Sequence, residues 1–167
     1  LGLEAHLVRY GPERPVAHEG NAALSTLAGA RITWTGDPDR ASVDPALERL
    51  AGELRDRGRV PYVVPRGGAT ALGASAYVRA SFELATQPDD LGVSPTRVVV
   101  ATGSCGTQAG LVAGARLVGA RHRIVGVTVS RPREECLARA AAIAADCAQL
   151  LEVDPPEREP EILDGYI

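Results

Sequence analysis

The chain has 167 residues, 45% of them apolar and 23% charged, a composition typical of an ordinary folded domain and not of a disordered chain. The net charge of -3 is spread over both signs without a basic stripe, which argues against nucleic acid as a partner. No stretch approaches the roughly 20 apolar residues of a membrane span, so no membrane partner is expected.

The residue types that are missing are also informative. All 18 positively charged residues are arginine, and the chain contains neither lysine nor methionine. Because it begins at Leu1, we expect a fragment, a processed piece or part of a longer protein. The three cysteines, Cys105, Cys136 and Cys147, form no CxxC pair, and their odd number argues against a disulfide framework. A reducing, cytoplasmic location is therefore expected.

Apolar runs rich in valine and isoleucine alternate with helical patterns along the chain. The runs predict strands at residues 5–8, 31–34, 60–64, 97–101, 124–129 and 149–153. The helical patterns cover residues 21–28, 45–57, 71–86, 107–118 and 133–148. This alternation predicts an α/β fold of three layers, with a mainly parallel sheet and helices on both of its faces.

Several boundaries carry local signals. Asp44 is expected to cap the helix at 45–57, with Pro45 at its first position and Gly58 ending it in a left-handed turn. Residues 88–95 form a polar connection bounded by prolines, and the proline- and glutamate-rich residues 154–160 are expected to be a loop.

The strongest functional signal is a turn that follows the predicted strand at 97–101 and opens the next helix. It contains Thr102, Gly103, Ser104, Cys105, Gly106 and Thr107. A strand that enters such a turn leaves backbone N–H groups unpaired at the positive end of the helix, and these groups attract anions. The hydroxyl groups add donors, and the glycines allow close approach of a phosphate. The alternative is a tight turn that binds no ligand.

The identity of the phosphate ligand is narrowed by what the turn lacks. A P-loop needs a lysine after its second glycine, so that class is excluded. The dinucleotide fingerprint is not matched, because the glycines fall at positions 103, 106 and 110. After the next strand comes Arg131 rather than an acidic residue, which leaves an NADP-like site as a weak alternative.

A second glycine turn follows the predicted strand at 60–64. It contains Gly67 and Gly68, then Thr70, and it also precedes a helix. Two helix N-termini are thus expected to point into one crevice, unless the two glycines merely turn the chain.

These segments together resemble a known family. PRGGATALG at residues 65–73 with Tyr77, ATGSCGTQAG at 101–110 and GVTVSR at 126–131 are similar to successive signatures of the D-cysteine desulfhydrase and aminocyclopropane-carboxylate deaminase group. That group belongs to the tryptophan-synthase-β-like enzymes of fold type II, which use pyridoxal 5'-phosphate. Gly20, Asn21, Gly29 and Ala30 upstream and residues 164–166 downstream resemble the flanking segments.

The resemblance implies a two-domain fold with the cofactor between the domains. Residues 1–58 would belong to the smaller domain and 59–167 to the larger one. The turn from Thr102 to Thr107 corresponds to the cup for the cofactor phosphate, and the loop from Gly67 to Thr70 lies near the cofactor in relatives. Position 70 departs from the family, where asparagine is frequent.

The resemblance also implies a lyase or deaminase that acts on a small amino acid such as D-cysteine and releases ammonia and a keto acid. In relatives, a lysine holds the cofactor as a Schiff base and lies upstream of the region equivalent to Leu1. No catalytic residue is therefore assigned in this chain. We expect a homodimer or pairing with the missing part of the fold. The alternative is a non-catalytic module that binds a phosphorylated ligand or docks on a partner supplying the lysine.

Other reactive residues fit structural roles better. Cys105 at a helix start suits a nucleophile or redox sensor, but a small filler is favoured because relatives carry a small residue there. His6, His18 and His122 are scattered without neighbouring ligands, so no metal site is expected.

Overall fold

The computed structural model describes residues 2–14 and 20–166. Contacts divide the chain into two compact units, Leu1–Arg66 and Gly67–Ile167. The assignment of residues 1–58 to a smaller domain and of residues 59–167 to a larger domain concerns the complete protein and stays a prediction.

The described residues of the first unit form a parallel pair of strands and two α-helices. Its elements are β1 (His6–Arg9), α1 (Gly20–Leu27), β2 (Arg31–Trp34) and α2 (Val43–Asp56). Strands β1 and β2 pair in parallel, with Leu7 opposite Ile32. His18, considered above as a metal ligand, lies outside the described residues.

Helix α2 begins two residues earlier than predicted. Its N-cap is Ser42, whereas Asp44 lies in the first turn and its carboxylate accepts hydrogen bonds from Arg66 at 2.8 and 3.3 Å. The expected cap at Asp44 was therefore wrong, because a short 3₁₀ turn at Arg40–Ser42 leads directly into the helix. The predicted end is confirmed, since Gly58 has φ 72° and the Arg59 amide donates to the Leu54 carbonyl.

The strand predicted at residues 60–64 was wrong. This segment has no strand structure, and the side chains of Val60, Tyr62 and Val64 are 98%, 75% and 58% exposed. An apolar cleft of about 880 Å³ is lined by residues of β1 and by this segment. A strand exists only where a neighbour pairs with it, and this segment has none among the described residues.

The second unit is a three-stranded parallel sheet with three helices. Its elements are α3 (Ala71–Asp90), β3 (Arg97–Thr102), α4 (Gly106–Leu117), β4 (Arg123–Thr128), α5 (Arg133–Leu150) and β5 (Glu161–Leu163). The strand order is β3-β4-β5, and Thr102 lies opposite Thr128. The predicted α/β fold with parallel strands is confirmed.

The core of this unit lies where α3, α4 and α5 contact one another. Small residues allow close packing: a Cβ at Gly114 would collide with Ser81, whose hydroxyl is 3.3 Å from the Leu111 carbonyl. The residues of β3 alternate in exposure, and Val99 is 62% exposed. Strand β3 is thus not buried on both of its faces within this chain.

The end of helix α3 differs from the prediction. The helix continues through Pro88 to Asp90. Gly92 then adopts φ 66°, and the Val93 amide donates a hydrogen bond to the Pro88 carbonyl. Pro88 has no N–H, so the helix lacks the hydrogen bond to the Leu84 carbonyl at that point but continues for two more residues.

The strand predicted at 149–153 was also wrong, because α5 runs to Leu150 and ends in a turn. In that turn Glu152 has φ 55°, and the Val153 amide donates to the Ala148 carbonyl. The third strand of the sheet is instead β5, which pairs with β4 and buries Ile162. Residues 154–160 form a loop, as expected.

None of the helices within the described residues is long and apolar enough to span a membrane.

Candidate functional site

The turn between β3 and α4 lies entirely in the second unit. Thr102 ends β3 and is 2% exposed, and Cys105 occupies the N-cap position of α4 with φ 73°. A left-handed conformation is costly for a residue with a Cβ, so the surrounding structure must hold it in place. The conformation of the turn is therefore fixed by the residues around it. The sequence of the turn alone does not show that Cys105 is the strained residue.

The donors of this turn have no protein partner among the described residues. None of the backbone N–H groups from Gly103 to Gln108 donates to a described acceptor, and no side chain caps α4. The first backbone amide of α4 with a partner is Ala109, which donates to Cys105. Within the part of the chain that the structure describes, the buried hydroxyl of Thr102 also has no hydrogen-bond partner. Unpaired donors at the positive end of a helix form a site for an anion.

The second glycine turn contacts the first one. A Cβ added to Gly67 would lie 2.5 Å from the Cβ of Ser104, and one added to Gly106 would lie 3.2 Å from the Cα of Ala69. Gly67 also has φ 72°. The structure thus places Gly67 next to the turn between β3 and α4, and it adds Ala69, which the sequence did not single out.

Gly68 and Thr70 instead organise the start of α3. The Gly68 carbonyl accepts from the Thr70 amide at 2.9 Å, and the Thr70 hydroxyl accepts from the Gly73 amide at 3.1 Å. The one described hydrogen bond of the Thr70 side chain is therefore to a helix backbone, the usual role of an N-cap hydroxyl.

Arg131 lies beside the turn between β3 and α4, whereas the sequence indicated it only as a ligand of an NADP-like site. Its Nε donates to the Gly103 carbonyl at 3.0 Å, and its guanidinium pairs with Glu135. Parallel strands β3 and β4 end at the same edge of the sheet, so residues that follow them become neighbours. That adjacency was a signal in the sequence which could have led to Arg131.

Two cysteines lie on the buried side of the turn. Cys105 is 2% exposed and Cys136 is fully buried in the same apolar cluster. Burial, and then the neighbouring thiol of Cys105, raise the pKa of Cys136 to about 11. Cys105 is thus packed as a small core residue, in keeping with the filler interpretation. Within the described part of the chain, no group of histidine, cysteine and carboxylate residues is arranged to bind a metal.

The comparison with family models identifies the protein class. The model described as pyridoxal-phosphate dependent enzyme matches residues 1–167. The chain belongs to this family.

Individual relatives of this pyridoxal-phosphate-dependent family agree with that assignment. The chain is 41% identical to a D-cysteine desulfhydrase of Klebsiella pneumoniae over 136 residues, which cover 80% of this chain and 40% of the relative. It is 38% identical to the D-cysteine desulfhydrase of Serratia proteamaculans, covering 92% of this chain and 47% of that protein.

Solved structures of related proteins have the same fold as this chain. A crystal structure of an ACC deaminase homologue matches 98% of this chain and 48% of its own length, with 37% identity and a TM-score of 0.85. A T.th. threonine deaminase has the same fold at 23% identity and a TM-score of 0.53. The chain therefore spans about half the length of the relatives that it matches.

The residues of the turn suit the phosphate of this family's cofactor. Unpaired amides and a buried hydroxyl that has no partner among the described residues both favour a compact oxyanion. The chain contains no lysine, so it offers no side-chain amine for the aldehyde of the cofactor.

Proposed function

We propose that this chain forms the phosphate-binding part of a pyridoxal-phosphate-dependent lyase or deaminase. Its substrate would be a small amino acid, in the manner of a D-cysteine desulfhydrase, and its products ammonia and a keto acid. The observation that carries the proposal is the run of free amides from Gly103 to Gln108 beside the buried hydroxyl of Thr102, which lacks a partner among the described residues.

The turn is proposed to hold the cofactor through its phosphate. Backbone amides from Gly103 to Thr107 would donate to the phosphoryl oxygens, and the hydroxyl groups of Thr102, Ser104 and Thr107 are further donors. Gly67 would keep the second turn close enough to Ser104 to fix that side chain. When bound, pyridoxal phosphate supplies an electron sink for the carbanion that forms at the substrate α-carbon.

The remaining chemistry needs groups that these 167 residues do not contain. A lysine amine would have to come from outside them, since the chain has none. We therefore propose that the active protein pairs this half of the fold with a lysine-bearing half, or is a homodimer of longer chains. The assignment of residues 1–58 and 59–167 to a smaller and a larger domain belongs to the same proposal.

Binding of vitamin B6 compounds tests the phosphate site without the missing lysine. Pyridoxine 5'-phosphate has the ring and phosphate of the cofactor but no aldehyde, so it cannot react with amines. We expect the chain to bind it more tightly than pyridoxine by at least about tenfold, because several charge-assisted hydrogen bonds are added. Isothermal titration calorimetry measures both affinities, and equal affinities would refute the phosphate site.

Activity is tested with the protein isolated from its source and supplied with pyridoxal phosphate. Ammonia release from D-cysteine, together with sulfide, would support the desulfhydrase assignment. Ammonia release from 1-aminocyclopropane-1-carboxylate without sulfide release from D-cysteine would assign the deaminase reaction instead.

A non-catalytic phosphate-binding module is the second candidate, and the absence of lysine favours it. Such a module would bind pyridoxine 5'-phosphate equally well but release no ammonia from either substrate. Absorbance separates the two, because pyridoxal phosphate bound without a lysine keeps the spectrum of its free aldehyde.

A further inference from the structure

Arg131 donates a hydrogen bond to the carbonyl of the peptide between Gly103 and Ser104. The amide of the same peptide, that of Ser104, has no described acceptor. The Nε of Arg131 lies 3.0 Å from the Gly103 carbonyl oxygen, and its side chain is 17% exposed. The described residues contain no cis peptide bond, so the peptide between Gly103 and Ser104 is planar and trans. In such a peptide the carbonyl of Gly103 and the amide of Ser104 point in opposite directions.

The hydrogen bond from Arg131 to the Gly103 carbonyl restrains the orientation of the Ser104 amide. Glycine imposes little restraint on its own backbone, so a peptide that follows glycine can rotate between two orientations. Rotation of this peptide would turn the Gly103 carbonyl toward the anion and remove the Ser104 donor. The hydrogen bond from Arg131 opposes that rotation, because it would be lost.

Arg131 is held by an ion pair, and the loop that carries it lies against the turn. Glu135, one turn along at the start of α5, pairs with the guanidinium. The loop after β4 also passes close to the turn, since a Cβ added to Gly103 would lie 3.0 Å from the Ser130 hydroxyl and 3.3 Å from Val129. The ion pair neutralises much of the charge, so Arg131 is suited to holding a carbonyl rather than to attracting the phosphate over a distance.

We propose that Arg131 is a positioning residue that fixes the Gly103–Ser104 peptide with its amide available to a phosphate. The inference rests on the proposed phosphate site and assigns a role to a residue outside the turn.

The substitutions are chosen by the atom that they place at the ε position. Arg131→Met puts a methyl group there and removes the donor. Arg131→Gln puts an amide nitrogen at the same distance along the side chain and keeps a donor without the charge. Arg133→Met is the matched control, because Arg133 donates from its own Nε to the Ile162 carbonyl at 2.9 Å, away from the turn.

The measured quantity is the ratio of affinities for pyridoxine 5'-phosphate and pyridoxine, obtained by calorimetry with the complete chain. We expect Arg131→Met to lower this ratio about tenfold, the effect of one hydrogen bond to a charged group. Arg131→Gln should recover most of the ratio, and Arg133→Met should leave it unchanged. A general loss of stability would not change the ratio in this pattern.

Glu135→Gln gives a second readout if Arg131→Met fails to fold, as judged by circular dichroism. Loss of the carboxylate loosens the guanidinium and is expected to lower the ratio about threefold, since a partly buried ion pair is lost. A higher ratio would mean that Arg131 acts by its charge and would overturn the inference.

The outcomes separate the inference from the function on which it rests. A phosphate preference that survives Arg131→Met overturns the positioning role alone. Absence of any phosphate preference in the unsubstituted chain overturns both.

Discussion

The two glycine turns of the second unit look alike in sequence but differ in what their donors do. In the turn before α3, the Thr70 hydroxyl accepts from the Gly73 amide, so a side chain satisfies the helix start. In the turn before α4, no side chain caps the helix, and the Thr102 hydroxyl has no partner among the described residues. The turn before α3 is called the closed turn because a side chain of the protein caps the helix. The turn before α4 is called the open turn because no described side chain caps it.

A binding turn differs from a structural turn in whether its buried donors have partners within the protein. An unpaired buried donor costs free energy, so a protein retains it where a ligand or water supplies the missing bond. The closed turn nevertheless supports the open one, because Gly67 packs directly on Ser104.

The largest effect is expected from Gly67→Ala. The new Cβ would lie 2.5 Å from the Cβ of Ser104, and φ at this position is 72°. Overpacking together with backbone strain should lower the free energy of unfolding by about 3 kcal/mol, measured by urea denaturation. It should also weaken binding of pyridoxine 5'-phosphate.

Gly68→Ala is the matched control for that substitution. Gly68 has φ 60°, but nothing lies within 4 Å of a Cβ built there. It should therefore suffer backbone strain alone, about 1 kcal/mol, and keep phosphate binding. Equal losses for the two variants would show that the contact between the turns is unimportant.

The next effect is a loss of stability at high pH, caused by the buried thiol of Cys136 next to the turn before α4. Burial raises the pKa of the Cys136 thiol from 9.0 to about 11. Between pH 9 and pH 11 the unfolded chain loses this proton while the folded chain keeps it, so stability falls as pH rises. The loss attributable to Cys136 should be about 2 kcal/mol across this range.

Cys136→Ala isolates that contribution. Urea denaturation at about pH 8.5 and about pH 11 should show a smaller pH-dependent loss in the variant than in the unsubstituted chain. Identical losses would mean that water reaches the thiol pair behind the turn.

The smallest effects come from exchanging threonine for valine in each turn. Thr102→Val should leave stability unchanged or slightly raised, because an unpaired buried hydroxyl is removed, and should weaken phosphate binding several-fold. Thr70→Val should lower stability by about 1 kcal/mol through loss of the cap and leave phosphate binding unchanged. The opposite pattern would reverse the roles of the two turns.

Local chemistry made much of the second unit predictable. The valine run of β3 and the Gly, Ser and Thr residues after it indicated a strand, a turn and a helix start, and the structure has them within one residue. Gly58 likewise predicted the left-handed end of α2. Such features depend on neighbours in the sequence, which can be read directly.

Features that depend on distant partners were missed. The apolar residues 60–64 have strand-like chemistry but no pairing partner among the described residues, whereas β5, with three residues, is a strand because β4 lies beside it. By contrast, the end of α3 was missed although its signal is local, because Gly92 with φ 66° follows the helix end and Pro88 does not end the helix.

Residue types and their spacing were enough to predict the class of the protein, the run of elements from β3 to α5 and a turn rich in hydroxyl groups and glycine. The tertiary structure alone decided that Gly67 contacts Ser104, that Arg131 holds the Gly103 carbonyl, and that Cys105 adopts a left-handed conformation. Each of these features depends on residues that strand pairing and helix packing bring together, and no local pattern encodes that geometry.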